Sequence, residues 1–556
     1  MIICVVMLIS ACVFAIPASA AEGTAINSAD EFMNMSAEGT YYLNADITLP
    51  GTYTAAFKGT LDGNGKTLTV SAPVFADFSG SVKNLTINGK ITASDENVAS
   101  FAVLSSNGIK AENVTSNVVI IATGNTSLVA GLVAEDKATQ TNANNPASEY
   151  VGCVNNGELY VDSTAAKNPT VAGIVARVDS VIFKNCENNA KITCKGNLAV
   201  AAGIAANLSP VAGTNILEAY NCVNNGDITC LENYADSTGA ASTGASETAG
   251  LFANIGVKNN IGGGYRVWGC VNNGDIVGTY RVSGLVGYCY GSGVNQYIDI
   301  QFCINTGDLT YGRTASTDDN VHDWCSPFVA YTNTSFTTVK YNIDLGTYTK
   351  DANAITKNPA MCFIGCSTAN VKDCDVQYNY LVNQAAFEYY TYASADKNAA
   401  QRLLISETTG VLAVTHDELK SGKIAYTINE ATKEDAALAA DGFAFYQTIG
   451  TDELPSIDAS RGWVVLNGTT YANGDKTSDA TTAPEETTAA PEAGDETTQA
   501  PEAGDATTEA PATDAPTTGA PTTDKAEEKK GCGGFVAGGV AIFALAGTAI
   551  VFKKRH

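Results

Sequence analysis

From Tyr41 to Asp375 the chain alternates apolar and polar residues in short, strand-length runs, and nowhere there does a helical period persist. The runs YYLNADITL, FKGTLDGNGKTLTV and VKNLTINGKITA open this region, each closed by Gly or Asn. Asp62-Gly63-Asn64-Gly65 supplies the positive-φ residues a sharp turn requires. Two helical signals flank the strands. Ser28-Ala29-Asp30-Glu31 predicts a capped helix through Phe32, Met33 and Met35, and Thr415-His416-Asp417-Glu418 predicts another through LKSGKIAYTIN.

The strand region repeats. Asn84-Leu85-Thr86-Ile87-Asn88-Gly89-Lys90-Ile91 aligns without gaps onto Asn221-Cys222-Val223-Asn224-Asn225-Gly226-Asp227-Ile228, with further copies at Cys153, Cys186, Cys270 and Cys303 and degraded ones at Val114 and Cys374. A partner element reads AGLVA at Ala130, AGIVA at Ala172, AGIAA at Ala202, AGLFA at Ala249, SGLVG at Ser283 and, more loosely, SPFVA at Ser326. The two elements interleave, with variable insertions between them, as in a solenoid. Short strands joined by Asn-Gly turns indicate parallel β-coils stacked about 4.8 Å apart. In such a stack one column holds equivalent residues from every coil. A column filled by Cys, Leu85 or Val114 reads as inward and apolar, and the Asn column reads as a ladder of side-chain amides bonded from coil to coil.

The paired motifs resemble the GLUG-containing surface proteins of bacteria, with Gly284-Leu285-Val286-Gly287 as the strict form. FKGTLDGNGKTL resembles the first coils of the pectate-lyase-like right-handed parallel β-helix superfold. The resemblance covers roughly Thr40 to Val376 and implies an all-β solenoid; it says little about activity. FAFYQTIGTDELPSID followed by WVVLNGTTYANGD resembles the closing module of similar bacterial surface proteins, and a cap is expected at an open strand edge.

The ends add an address. Residues 1–20 read as a secretory signal peptide ending in Ala18-Ser19-Ala20. Residues 21–50 are expected to cap the solenoid, 51–400 to form it and 401–475 to close it. From 476 to 530 Thr, Ala, Pro, Glu and Asp dominate without apolar bulk, which predicts a disordered stalk. Residues 531–552 carry no charge and could span a bilayer, and Lys553-Lys554-Arg555 within the 553–556 tail mark the cytoplasmic side. The expected protein is a single-pass membrane protein with an extracellular head. A net charge of −26 excludes nucleic acid as a partner.

Candidate chemistry is sparse. The head's cysteines are expected to be mostly unpaired, buried thiols, because side chains stacked in a parallel core meet disulfide geometry only by distortion. No cofactor or metal is expected: Cys362 and Cys366 are a weak pair, and His322 and His416 lack a CxxC beside them. Asp227, Asp275 and Asp308 share a column with Lys90, Glu158 and Lys191, so they read as a solvated face. Asp318, Asp319, His322 and Asp323 form the densest polar cluster. Aromatics give the better lead. Trp268, Tyr280, Tyr288, Tyr290 and Trp324, with Arg281 among them, are the expected ligand-binding set, since rings can stack on sugar faces and Arg can add hydrogen bonds. The expected function is adhesion or ligand display to a glycan or a host or neighbouring cell surface. A polysaccharide lyase or glycosidase on the same scaffold and a structural envelope component are the alternatives.

Overall fold

A computed structural model describes residues 22–476 apart from 139–146, 209–215, 233–245, 258–264, 292–296, 313–322, 335, 353–358, 362, 367–372, 384–409, 434–437 and 439–441. The expected signal peptide, stalk, membrane span and tail lie outside the described residues. Among the described ones no helix is long and apolar enough to cross a membrane.

The fold is a parallel β-helix-like solenoid. Three long parallel sheets run along it. One contains the Cys and Asn columns, one the strands that end at the small-residue motif (Leu128–Ala130, Thr170–Ala172, Val200–Ala202, Glu247–Ala249, Arg281–Ser283), and one the strands that follow it (Val133–Asp136, Val175–Val178, Ala205–Leu208, Phe252–Val257, Val286–Gly291). Register is kept from coil to coil. Leu85, Val114, Cys153, Cys186, Cys222, Cys270 and Cys303 are all buried in the core. The column ends differently from expectation. Asn342 and Asn379 take its last places, whereas Cys374 pairs with Thr337 in an earlier strand of the coil. Asn342 Nδ2 donates to Asn379 Oδ1 at 2.9 Å and Asn379 Nδ2 to the Val339 carbonyl at 2.7 Å, so these buried amides are bonded where thiols stood before.

The Asn ladder is present twice. Buried Asn155, Asn188, Asn224 and Asn272 each donate to the next coil's Oδ1 at 2.8–2.9 Å, through Asn305, which donates to Asp344. On the surface Asn117, Asn156, Asn189, Asn225 and Asn273 donate at 2.7–3.0 Å in the opposite direction, back along the rod, starting from Asn88. The buried ladder explains the partner motif. A Cβ added at Gly131, Gly173, Gly203 or Gly250 would overlap a neighbouring coil's glycine carbonyl and the amide of Asn155, Asn188, Asn224 or Asn272. The Gly of one motif is the space occupied by the Asn of the other. Next to it Leu132, Ile174, Ile204, Leu251, Leu285 and Phe328 fill the interior.

A third column sets the corner before the Cys position. Asn84, Asn113, Gly152, Asn185, Asn221 and Gly269 have φ between 53° and 63°, as do Phe302, Tyr341 and Tyr378. Asn and Gly accept this left-handed region readily; aromatic residues do not.

The helical signals are found with changes. Helix α1 is Ala29–Met33, with the Ser28 hydroxyl accepting from the Glu31 N–H at 3.3 Å, but the Glu31 carboxylate turns to Asn27. The strand Thr24–Ile26 already pairs with Thr40–Leu43, so coiling begins within 21–50. Helix α2, His416–Lys420, has the full capping box, and α3, Lys423–Thr432, is separate because Gly422 breaks the chain at φ 87°. The closing module does more than cover an end. Val411–Ala413 pairs with Asn379–Leu381, while α2, α3 and the hairpin of Trp463–Asn467 and Thr470–Gly474 share a core with Trp268, Phe302, Ile304, Tyr341 and Ile343 on the outside of the coils.

Candidate functional site

Five of the six expected ligand-binding residues come together where the second and third sheets meet. Within Arg281–Ser283 the middle residue, Val282, points into the core and Arg281 points away from it. Arg281 lies in register between Glu247 and Trp324 of the neighbouring coils. Its Nη1 is 2.7 Å from Glu247 Oε1, and both side chains are nearly buried. Across the corner, Tyr288 follows Asn254 in its column and is followed by Tyr331. The guanidinium sits 3.7 Å from the Tyr288 ring centre, 4.8 Å from Tyr280 and 4.9 Å from Tyr331. Tyr290, two residues along the strand, packs 5.4 Å from Tyr288, and Trp324 5.2 Å from Tyr331. Stacking on a guanidinium is favourable because its charge meets the negative ring face and little hydration is lost.

Electrostatics follow from burial. Loss of water pushes the Glu247 carboxyl up to about 7 in spite of Arg281, and the Tyr288 phenol up to about 12. The same column upstream holds Glu135 and Arg177, an ordinary charge pair 3.5 Å apart. Rings replace charge only in the later coils. Tyr280, Tyr288, Tyr290 and Tyr331 remain half-buried, so the patch is a polar-edged aromatic surface with a cation held beneath it.

Trp268 belongs elsewhere. It lies in the first sheet, edge-on to Tyr220 at 6.2 Å and to Phe443 of the closing module at 5.5 Å, with Arg266 5.1 Å over its ring. Only 4% of it is exposed. Two residues of the patch, Glu247 and Tyr331, were not in the expected set. The motif itself carries the signal: aligning ETAGLFAN, RVSGLVGY and WCSPFVAY on the turn places Glu247, Arg281 and Trp324 in one column and Tyr288 and Tyr331 in another.

The other candidates have structural partners. Asp227 and Asp275 accept the backbone N–H of the next coil's Asp at 3.1 and 2.9 Å, and Asp308 accepts from Thr347 at 2.8 Å. Asp318, Asp319 and His322 lie outside the described residues, and Asp323 is buried. Cys153, Cys186, Cys194, Cys222, Cys230, Cys270, Cys289 and Cys303 are free and buried, and burial holds the Cys153, Cys186, Cys222 and Cys270 thiols well above their ordinary range, which makes them poor nucleophiles. Asp136, pushed by burial to about 6, accepts from the Tyr150 hydroxyl at 2.8 Å; Asp344, pushed to about 7, accepts from Tyr348 and Asn305. Among the described residues no group of three or more His, Cys, Asp or Glu side chains could hold a metal ion.

No family model matches the chain, and no curated protein matches it significantly.

Proposed function

We propose that this protein is a non-enzymatic bacterial surface protein that displays a right-handed β-helix head on a stalk and membrane anchor, and that the head binds a glycan or other cell-surface ligand through Tyr280, Tyr288 and Tyr290, with Arg281 and the buried Trp324 supporting the rings from beneath. The observation that carries the reading is the change in one outward column from the Glu135–Arg177 charge pair to the Tyr288–Tyr331 ring pair. A solenoid needs its inward columns for stability, and an outward ring cluster is more than that requires. Half-buried rings present a flat apolar face that suits the C–H face of a sugar, while Tyr hydroxyls give direction. The exported address rests on the apolar N-terminus and on residues 531–552 followed by Lys553-Lys554-Arg555. Handedness rests on the strong bias of parallel crossovers.

The test is a glycan array and a cell-binding assay with the intact protein and a Tyr288→Ala/Tyr290→Ala variant. Ligand retention should fall at least about tenfold, roughly 1.4 kcal/mol, with melting temperature little changed. Equal binding by the variant overturns the patch. Depolymerisation of a polysaccharide by the unaltered protein overturns the non-enzymatic reading in favour of a lyase or glycosidase.

A further inference from the structure

A groove on the flank of the rod, on a different sheet from the Arg281 patch, is used by nothing described so far. Lys184, Asn185, Tyr220 and Asn221 line it from the coils and Phe443 from the closing module, around a volume of about 340 Å³. That is within the size range of small-ligand sites. The groove lies where the left-handed corner column changes character. Asn185 and Asn221, at φ 53° and 55°, are exposed; Gly269, next in line, leaves room for both Asn221 and Phe443, because a Cβ there would lie 2.6 Å from Asn221 Oδ1 and 2.9 Å from the Phe443 ring. Phe302, Tyr341 and Tyr378 continue the column beyond it.

The floor is aromatic and fixed. Tyr220 and Phe443 are 6.0 Å apart and 33° from parallel, and Trp268 stands edge-on to both. Arg266 lies 5.1 Å over the Trp268 ring, so the aromatic floor is backed by a cation. The rim is polar and unengaged. Among the described residues the Asn185 and Asn221 side chains have no hydrogen-bond partner and Lys184 has no ion-pair partner. Each amide offers both a donor and an acceptor, which matches a hydroxyl, and the ammonium matches a carboxylate. In a chain of net charge −26, a lone ammonium beside two open amides selects where an acidic ligand can settle.

We propose that this groove binds a carboxylated saccharide. The sugar ring lies against Tyr220 and Phe443, its hydroxyls meet Asn185 and Asn221, and its carboxylate meets Lys184. The site stands independently of the Arg281 patch.

Titration calorimetry of the intact protein with cellobiouronic acid and with its neutral counterpart cellobiose tests this, together with the Trp268 indole N–H resonance. The acid should bind about tenfold more tightly than cellobiose and shift the Trp268 signal. Lys184→Gln, an exposed change, should bring the acid down to the cellobiose level without altering the melting temperature, and Phe443→Leu should weaken both probes. Tyr288→Ala/Tyr290→Ala should leave these values unchanged, which separates this site from the patch. No binding of either probe, equal binding of the two, or an acid preference that survives Lys184→Gln overturns the proposal.

Discussion

The left-handed corner column is the same backbone position used in two ways. In the earlier coils it carries Asn84, Asn113, Asn185 and Asn221, which face solvent and fit the conformation at little cost. In the last coils it carries Phe302, Tyr341 and Tyr378, for which a positive φ costs on the order of 1–3 kcal/mol each. Those rings stack on one another at 5.2 and 5.6 Å, and Phe443 lies 5.8 Å from Phe302. Phe302 is fully buried and Tyr341 nearly so. Burying a large ring is worth roughly 1.5–3 kcal/mol, which is enough to offset the backbone strain. The contrast teaches that the closing module is part of why the late coils can have the sequence they have. Strain is tolerated where another element covers the side chain.

The heaviest blow to this contrast is Phe302→Ala with Tyr341→Ala. Large-to-small changes in such a core cost about 3–5 kcal/mol each, so denaturant midpoints should fall sharply and protease should cut within 410–476 first. A rod that unfolds before that segment is released would show that the module does not depend on the aromatic column.

Next comes the titration of one buried acid in the later coils. The buried ladder from Asn155 to Asn305 cannot ionise, but its last member, Asp344, has a pKa raised by burial to about 7. An acid whose folded pKa lies above its unfolded value binds more protons when folded. Its contribution to stability is therefore present at low pH and declines as pH rises from about 4 through about 7. Asp344→Asn should flatten that decline by up to roughly 1.4 kcal/mol per pH unit, read as melting temperature against pH, while the new amide still accepts from Asn305. An unchanged profile would assign the dependence to other buried acids such as Asp136.

Gly269→Ala is milder. It places a Cβ at φ 63° and against Phe443, and should cost about 2 kcal/mol. The smallest effect tests the bare half. Asn113→Tyr puts an aromatic in the left-handed corner with no module above it, and should lose about 1 kcal/mol by denaturant melting. A gain in stability there would mean that ring stacking alone offsets the strain.

Much of the rod was legible because columns repeat. Cys270 could be read as interior once Leu85 and Val114 shared its place, and the Asn ladder followed from the same alignment. The Cys column's end was misread because Cys374 is a tempting copy, while the true occupants, Asn342 and Asn379, differ in chemistry and are recognisable only from their mutual hydrogen bond. The patch was half legible. Tyr288, Tyr290 and Arg281 stood out as aromatics with an Arg, but Trp268 was grouped with them by nearness in sequence, whereas sheet position decides contact in a solenoid. That the closing module lies along the flank could not be read from its own sequence. It depends on Phe302, Tyr341 and Tyr378 turning outward from a corner that ordinarily holds Asn.

The buried ladder also sets how long the rod can become. Every amide from Asn188 to Asn305 both receives from the coil before it and gives to the coil after it, so any of these rungs is interchangeable with its neighbour. Asp344, as a carboxylate, can only receive. A coil duplicated upstream of Asn305 would slot in and lengthen the head by about 4.8 Å, whereas one inserted after Asp344 would find no donor to continue the line. Reach is thus adjustable from one side alone, and the acid works as a molecular full stop.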